Sequence, residues 1–343
     1  LDKVGNRLAR NSQLSALNSQ LGLGYNARDW LNGDTYTANG STLTSSQLSA
    51  LNPQLAGTDT YDFEEHLILR TKSDGTTINV NYDADGHRIA KNILSPTATP
   101  VSSTFWLVDT NNLTGYAQVL EERVTTGGST PSSTLRVFTY GSALISQATS
   151  LNSQPSTLNF FTYDGHGSTR ELTDAVGAVT DRYDYDAFGN LVFQSGMTPN
   201  AYRYSGEQYD ADLGLYYLRA RYLNTDSGRF WSADGFEGFQ GDPISLHRYL
   251  YGNANPARFR DPSGHFSMAD IQGALIGLTH LARMIAPSAV RAAAVAAPYL
   301  EAAGYAIAVG NTARLFLDQD FRSERLSTGA GYFWTALDMT GAA

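Results

Sequence analysis

Tyr163-Asp164-Gly165-His166-Gly167-Ser168-Thr169-Arg170 and, further on, Tyr185-Asp186-Ala187-Phe188-Gly189-Asn190 are two copies of one short unit. Tyr61-Asp62 and Tyr82-Asp83-Ala84-Asp85-Gly86-His87-Arg88, at nearly the same spacing, are two more, and looser copies surround Tyr25, Tyr36 and Tyr140. At a turn Asp accepts backbone N–H bonds, Gly supplies a positive φ, and the Tyr ring packs on a neighbour, so each unit reads as a two-stranded hairpin. One hairpin is not stable alone in water, and adjacent copies must stack side by side into a long sheet. Between the units Tyr, Val, Thr, Leu and Phe alternate in short runs bounded by Asp-Gly, Asn-Gly and Gly-Asn pairs, the pattern of antiparallel strands. The sequence predicts a mainly β chain of stacked antiparallel hairpins over residues 1–265, with too few repeats to close a shell.

That pattern stops near His265. Of 20 Tyr, only Tyr299, Tyr305 and Tyr332 follow it, whereas the stretch 266–343 is rich in Ala. Met268 to Ala286 reads as a helix, with Ile271, Leu275, Leu278 and Ala282 spaced three and four apart, and Pro287 and Pro298 open new segments. An Ala-rich α-helical C-terminal region over 266–343 is expected. The opening Leu1-Asp2-Lys3-Val4-Gly5-Asn6-Arg7 reads as the tail of a unit that begins upstream.

Composition removes several function classes. A net charge of −9 over 343 residues argues against holding nucleic acid by neutralising phosphates. With no Cys there is no disulfide framework, thiolate chemistry or Cys-ligated zinc. At 42% hydrophobic and 17% charged residues the chain can bury a core. A membrane span is not expected, because the most apolar stretch, Ala292 to Ala313, is interrupted by Pro298 and Glu301.

The Tyr-Asp units resemble the YD repeats of RHS (rearrangement hotspot) proteins, and residues 109–122 resemble a stretch seen among them. Gly206-Glu207-Gln208-Tyr209-Asp210, then Gly214-Leu215-Tyr216-Tyr217-Leu218-Arg219-Ala220-Arg221-Tyr222, then Gly228-Arg229-Phe230-Trp231-Ser232-Ala233-Asp234, and last Asn253-Ala254-Asn255-Pro256 through Asp261-Pro262-Ser263-Gly264 resemble, in order and spacing, the RHS-repeat-associated core domain. The resemblance divides the chain into YD/RHS repeats over 1–200, the core domain over 201–265 and a variable C-terminal region, cargo or pre-toxin, over 266–343. It implies part of a hollow β-shell wound around a C-terminal toxin, with the core domain closing one end and acting as an aspartyl autoprotease that frees the cargo. The two acids would be Asp234 and Asp261, the supporting base Arg221, and the scissile peptide His265 to Phe266. Many relatives place Leu where His265 stands, a departure that bears on cleavage rate more than on fold. The partners implied are the chain's own C-terminal cargo segment, upstream RHS repeats of a longer chain, a secretion system and an immunity protein. The location implied is secreted or cell surface, and no cofactor is called for.

Those residue types suit the chemistry without the family. Two Asp close enough to share one proton supply an acid and a base together, because both cannot ionise at once. A nearby Arg favours the charged form and orients it through a two-pronged hydrogen bond. The pair titrates as a unit, so no separate acid and base roles are assigned. Against this stands a plainer reading, since Asp-Pro-Ser-Gly is also a turn sequence.

Other candidates reduce to structure. The six His are scattered without a His-x-x-x-His pair. His87 and His166 sit at turn positions, and Asp83-Ala84-Asp85-Gly86 begins like a calcium loop but lacks the later bidentate acid. Trp231, Tyr216 and Tyr217 are sugar-stacking candidates that strand packing also explains. Three functions remain: a self-cleaving shell end, a cell-surface adhesion or carbohydrate-binding module, and an inactive structural scaffold.

Overall fold

The computed structural model describes residues 9–11, 20–112, 114–128, 130–154, 156–237 and 244–265. The expectations for Leu1 to Arg7, for Phe266 and for the helical region 266–343 lie outside the described residues. Two short pairs open the chain, β1 (Ala9–Asn11) with β2 (Gln20–Gly22) and β3 (Thr35–Tyr36) with β4 (Thr42–Thr44). Helix α1 (Ser46–Leu51) and a 3-10 turn at Pro53–Leu55 follow.

The main body is one 12-stranded antiparallel meander in which every strand pairs with its neighbours in the chain. Its members are β5 (Thr58–Tyr61), β6 (Leu67–Thr71), β7 (Thr77–Tyr82), β8 (Arg88–Leu94), β9 (Pro100–Asp109) and β10 (Gln118–Thr126). They continue as β11 (Ser132–Tyr140), β12 (Leu144–Leu151), β13 (Thr157–Tyr163), β14 (Thr169–Thr173), β15 (Val179–Tyr185) and β16 (Leu191–Ser195). A four-stranded sheet comes last: β17 (Gln208–Asp210), β18 (Leu215–Leu218), β19 (Arg221–Asn224) and β20 (Arg229–Phe230). The chain is thus mainly β, built of stacked antiparallel hairpins.

One turn geometry recurs and explains the repeat. In Asp62, Asp83, Asp164, Asp174 and Asp186, Oδ1 accepts the backbone N–H of the residues two and four further on, at 2.8–3.0 Å. Between those donors the chain must pass through a positive φ, which Gly86, Gly167, Gly177 and Gly189 take at +79° to +91°. The first copy places Glu65 there instead, at +63°, and its carboxylate accepts bonds from Asn39 Nδ2 and Ser41 Oγ. In three copies the leading tyrosine then reaches back across the preceding hairpin. Tyr61, Tyr82 and Tyr163 hydroxyls donate to the carbonyls of Thr42, Leu67 and Leu144.

The segment after β16 covers one face of the long sheet. In β7 the side chains alternate, Ile78 and Val80 buried and Asn81 exposed, and the buried pair packs with Leu213, Leu215, Tyr222 and Trp231. Further along, Phe138, Leu144, Phe161, Leu172 and Tyr183 pack around Tyr202. Tyr216 and Trp231 are 2% and 4% exposed, so they are core rather than a stacking surface, and Tyr217 packs against the cluster that holds Trp231. Two charged stitches join the layers. Arg70 binds Asp59 through Nε and Nη2, both at 2.6 Å, and Trp231 Nε1 donates to the same carboxylate. Arg88 lies between the Trp106 and Tyr217 rings, at 4.2 and 4.3 Å from their centroids, and its Nη1 meets Asp210 Oδ2 at 2.9 Å.

Candidate active site

The β18–β19 hairpin has a two-residue loop, Arg219-Ala220, because Leu218 pairs directly with Arg221. The Asp261-Pro262-Ser263-Gly264 turn lies against that loop. Its own geometry is set by Asp261, whose Oδ1 accepts from Ser263 Oγ at 2.8 Å and from Gly264 N at 2.9 Å. Gly264 has φ +74°, and a Cβ there would sit 2.2 Å from the Leu218 carbonyl. The turn reading of this tetrapeptide and its place in the site therefore coexist.

Arg221, Asp234 and Asp261 come together. Arg221 Nη2 is 2.7 Å from Asp234 Oδ2 and 3.8 Å from Asp261 Oδ2, so one guanidinium nitrogen spans both carboxylates. The guanidinium carbon lies 3.7 Å from the Phe230 ring centroid, a stacking surface that holds its plane. Its other nitrogens bind backbone: Nη1 donates to Arg248 O at 3.2 Å and Nε to Gly264 O. Asp234 is fixed in turn. Its N–H donates to Arg248 O at 2.7 Å, its carbonyl accepts from Arg248 Nε at 2.7 Å, and its Oδ1 accepts from Phe236 N at 2.9 Å.

His265 enters the same cluster through its backbone. Its carbonyl oxygen is 3.5 Å from Arg221 Nη2, the nitrogen that touches Asp234. Burial raises the Asp261 carboxyl above the ordinary range, with Arg221 opposing the rise. Burial lowers the His265 imidazole, and Arg221 lowers it further. A protonatable acid, a carboxylate paired with Arg and a polarised peptide carbonyl thus lie within a few ångströms of one another, the parts that peptide hydrolysis requires.

Three residues of this site have no role in the sequence reading. Arg248 clamps Asp234 from both sides of its peptide. Arg219 reaches the carbonyl of Pro262, and Glu207 holds Arg219 at 3.0 and 3.1 Å. The only sequence signal for Arg219 is negative: a two-residue hairpin loop between Leu218 and Arg221 that contains no Gly. As for metals, Asp83, Asp85 and His87 bring ligand atoms within 4.8 Å of one another, but Asp83 Oδ1 is engaged by its own turn, as in the other repeats.

No protein-family model matches the chain. Over 214 residues it is 33% identical to the tRNA nuclease WapA of Bacillus subtilis (strain 168), covering 61% of this chain and 8% of WapA. It is 27% identical over 210 residues to toxin subunit YenC1 of Yersinia entomophaga, covering 57% of this chain and 20% of that protein. The fold matches the crystal structure of TcdB2-TccC3 without its hypervariable C-terminal region, with TM-score 0.59 and 19% identity over 75% of this chain and 12% of that one. In sequence the chain is thus similar to WapA and to toxin subunit YenC1, and in fold to TcdB2-TccC3, and it spans a small fraction of the length of these relatives. Among the described residues no helix is long and apolar enough to cross a membrane.

Proposed function

We propose that the chain is the shell end of an RHS toxin-delivery protein, which encloses a C-terminal cargo and frees it by cutting its own His265–Phe266 bond. One observation carries the reading: Arg221 Nη2 contacts Asp234, Asp261 and the His265 carbonyl together. The toxin relatives and the composition break at the same peptide support it.

In this reading Arg221 polarises the His265 carbonyl and steadies the negative charge that forms on its oxygen. The ionised member of the Asp234–Asp261 pair takes a proton from water, whose oxygen bonds to the carbonyl carbon. The protonated member gives its proton to the departing nitrogen of Phe266 as the C–N bond breaks, leaving a carboxylate on His265 and a free amine. Enzyme and substrate share one chain, so proximity replaces binding affinity. Secretion to the cell exterior, a partner secretion system, an immunity protein and the domain limits at 200 and 265 belong to the same proposal. The adhesion reading loses its aromatic platform, because Tyr216 and Trp231 are buried.

Intact mass of freshly made protein tests the reading. Cleavage yields one piece ending at His265 and a second beginning at Phe266. Asp234→Asn keeps the shape and removes the ionisable group, so it is expected to stay whole; equal processing of that variant and its parent would leave only the scaffold reading.

A further inference from the structure

Four consecutive carbonyls, those of residues 262–265, are held by three consecutive residues, the two of the β18–β19 loop and Arg221, which opens β19. Arg219 Nη1 donates to Pro262 O, Ala220 N to Ser263 O at 3.3 Å, Arg221 Nε to Gly264 O, and Arg221 Nη2 to His265 O at 3.5 Å. The loop is therefore a cradle for the segment that leads to the proposed scissile bond, and Arg219 grips its upstream end.

Arg219 is in the wrong conformation for an arginine. Its φ is +61°, whereas Ala220 is not positive, the pattern of a two-residue turn whose first position favours Gly. Strain of this kind persists where the surroundings over-determine it, and it clusters at functional sites. Here the surroundings are visible. Glu207 takes Arg219 Nη1 with both oxygens, at 3.1 and 3.0 Å, and Ala117 O accepts from Nε at 3.2 Å. Gly would relieve the backbone, yet it would leave the Pro262 carbonyl without its guanidinium and Glu207 without its charge partner.

We propose that Arg219, braced by Glu207, is a positioning residue that fixes the 262–265 segment so that the His265 carbonyl meets Arg221 and the acid pair. This rests on the self-cleavage reading above. Arg219 is two residues from the chemistry and touches none of the reacting atoms. Its effect comes through the register of the turn, where a displacement near one ångström costs about 10²-fold in rate.

The test uses the 343-residue chain made by cell-free translation, with samples quenched over time and weighed intact. Melting temperatures are compared in the Asp234→Asn background, where every chain is expected to stay whole. In Arg219→Gly the relieved backbone offsets the lost Glu207 pair, so its melting temperature is expected to stay close to the parent's while self-cleavage slows about 10- to 100-fold. Arg219→Lys restores a point charge without the planar fork and is expected to recover part of the rate. Glu207→Gln, which leaves the loop sequence intact, is expected to slow cleavage in the same direction. Cleavage of Arg219→Gly at the parent rate overturns the proposal, as does a loss of rate accompanied by a lower melting temperature that Lys does not rescue. A parent that stays whole, or an Asp234→Asn chain cut as fast as the parent, overturns the autoprotease reading itself, so the two failures are distinct.

Discussion

Replacing Asp210 separates the charge that joins the two sheets from the apolar packing around it. Its side chain is 1% exposed and meets Arg88 Nη1 at 2.9 Å and Lys91 Nζ at 2.7 Å. It also accepts from the backbone N–H groups of Asp212 and Leu213 at 3.1 and 3.2 Å. Burial alone would raise its pKa, but Lys91 and Arg88 reverse the sign and pull it from 3.8 to about 2. A carboxyl depressed by folding contributes stability above its unfolded value, here about 2–3 kcal/mol at neutral pH. That contribution is lost as pH falls from about 4 toward 2. Asp210→Asn removes the charge and keeps the shape, so the expected loss at pH 7 is about 2–3 kcal/mol. Asp210→Ala removes the side-chain acceptors as well as the charge from two buried cations, a change that costs about 3–5 kcal/mol. The lower end is expected, because Arg88 keeps Gln208 Oε1 at 2.8 Å and Lys91 keeps the half-exposed Asp212 at 2.7 Å. Urea titrations of parent and variants at neutral and acid pH measure both quantities. A loss below about 1 kcal/mol, or a gap between parent and Asp210→Asn that stays constant as pH falls through 4, would refute the electrostatic account.

Further outcomes follow from single contacts. Gly264→Ala forces a Cβ to within 2.2 Å of Leu218 O at φ +74°; the turn must shift, and intact-mass time courses should show self-cleavage at least about tenfold slower. Because burial raises Asp261, its protonated form persists to higher pH than for an exposed Asp, and its unfavourable effect on the fold is present above the raised value and lifts as pH falls. Self-cleavage should therefore quicken as pH is lowered from about 8 toward 5; a rate that falls monotonically over that range counts against the acid pair as the proton carrier. Asp186→Ala removes two backbone bonds at 2.9 Å and one from Asn190 Nδ2 at 2.8 Å. It should cost about 2 kcal/mol by urea denaturation, and a loss under about 0.5 kcal/mol would show that the Asp turn is decoration.

The hairpins were legible because their information is local. An Asp, a Gly three residues on and strand formers on either side specify a turn that needs no distant partner, as Asp83 and Gly86 illustrate. The turn at Asp174 is harder to read from sequence because it makes the same bonds without a leading Tyr. The stitches were illegible for the opposite reason. Arg88 and Asp210 are 122 residues apart, Asp59 and Trp231 are 172 apart, and nothing in either neighbourhood names the other. The site was legible only where it resembled a known pattern. Arg221, Asp234 and Asp261 follow that pattern, whereas Arg248 acts through its carbonyl as well as its side chain and Arg219 through a conformation that only coordinates display.

A meander paired strictly in chain order also has a direction in time. Each hairpin of the long sheet can close as soon as its second strand leaves the ribosome, since it waits for no distant segment. Arg88, however, is born 122 residues before Asp210, an interval of roughly 6–25 s at ordinary elongation rates. Throughout that interval the face carrying Ile78, Val80 and Trp106 has no cover from the segment that will bury it. Strands β17 to β20 thus act as the latch on a sheet that is already formed, and a ribosome stalled between β16 and β17 would hold a nascent chain with its binding face open to chaperones.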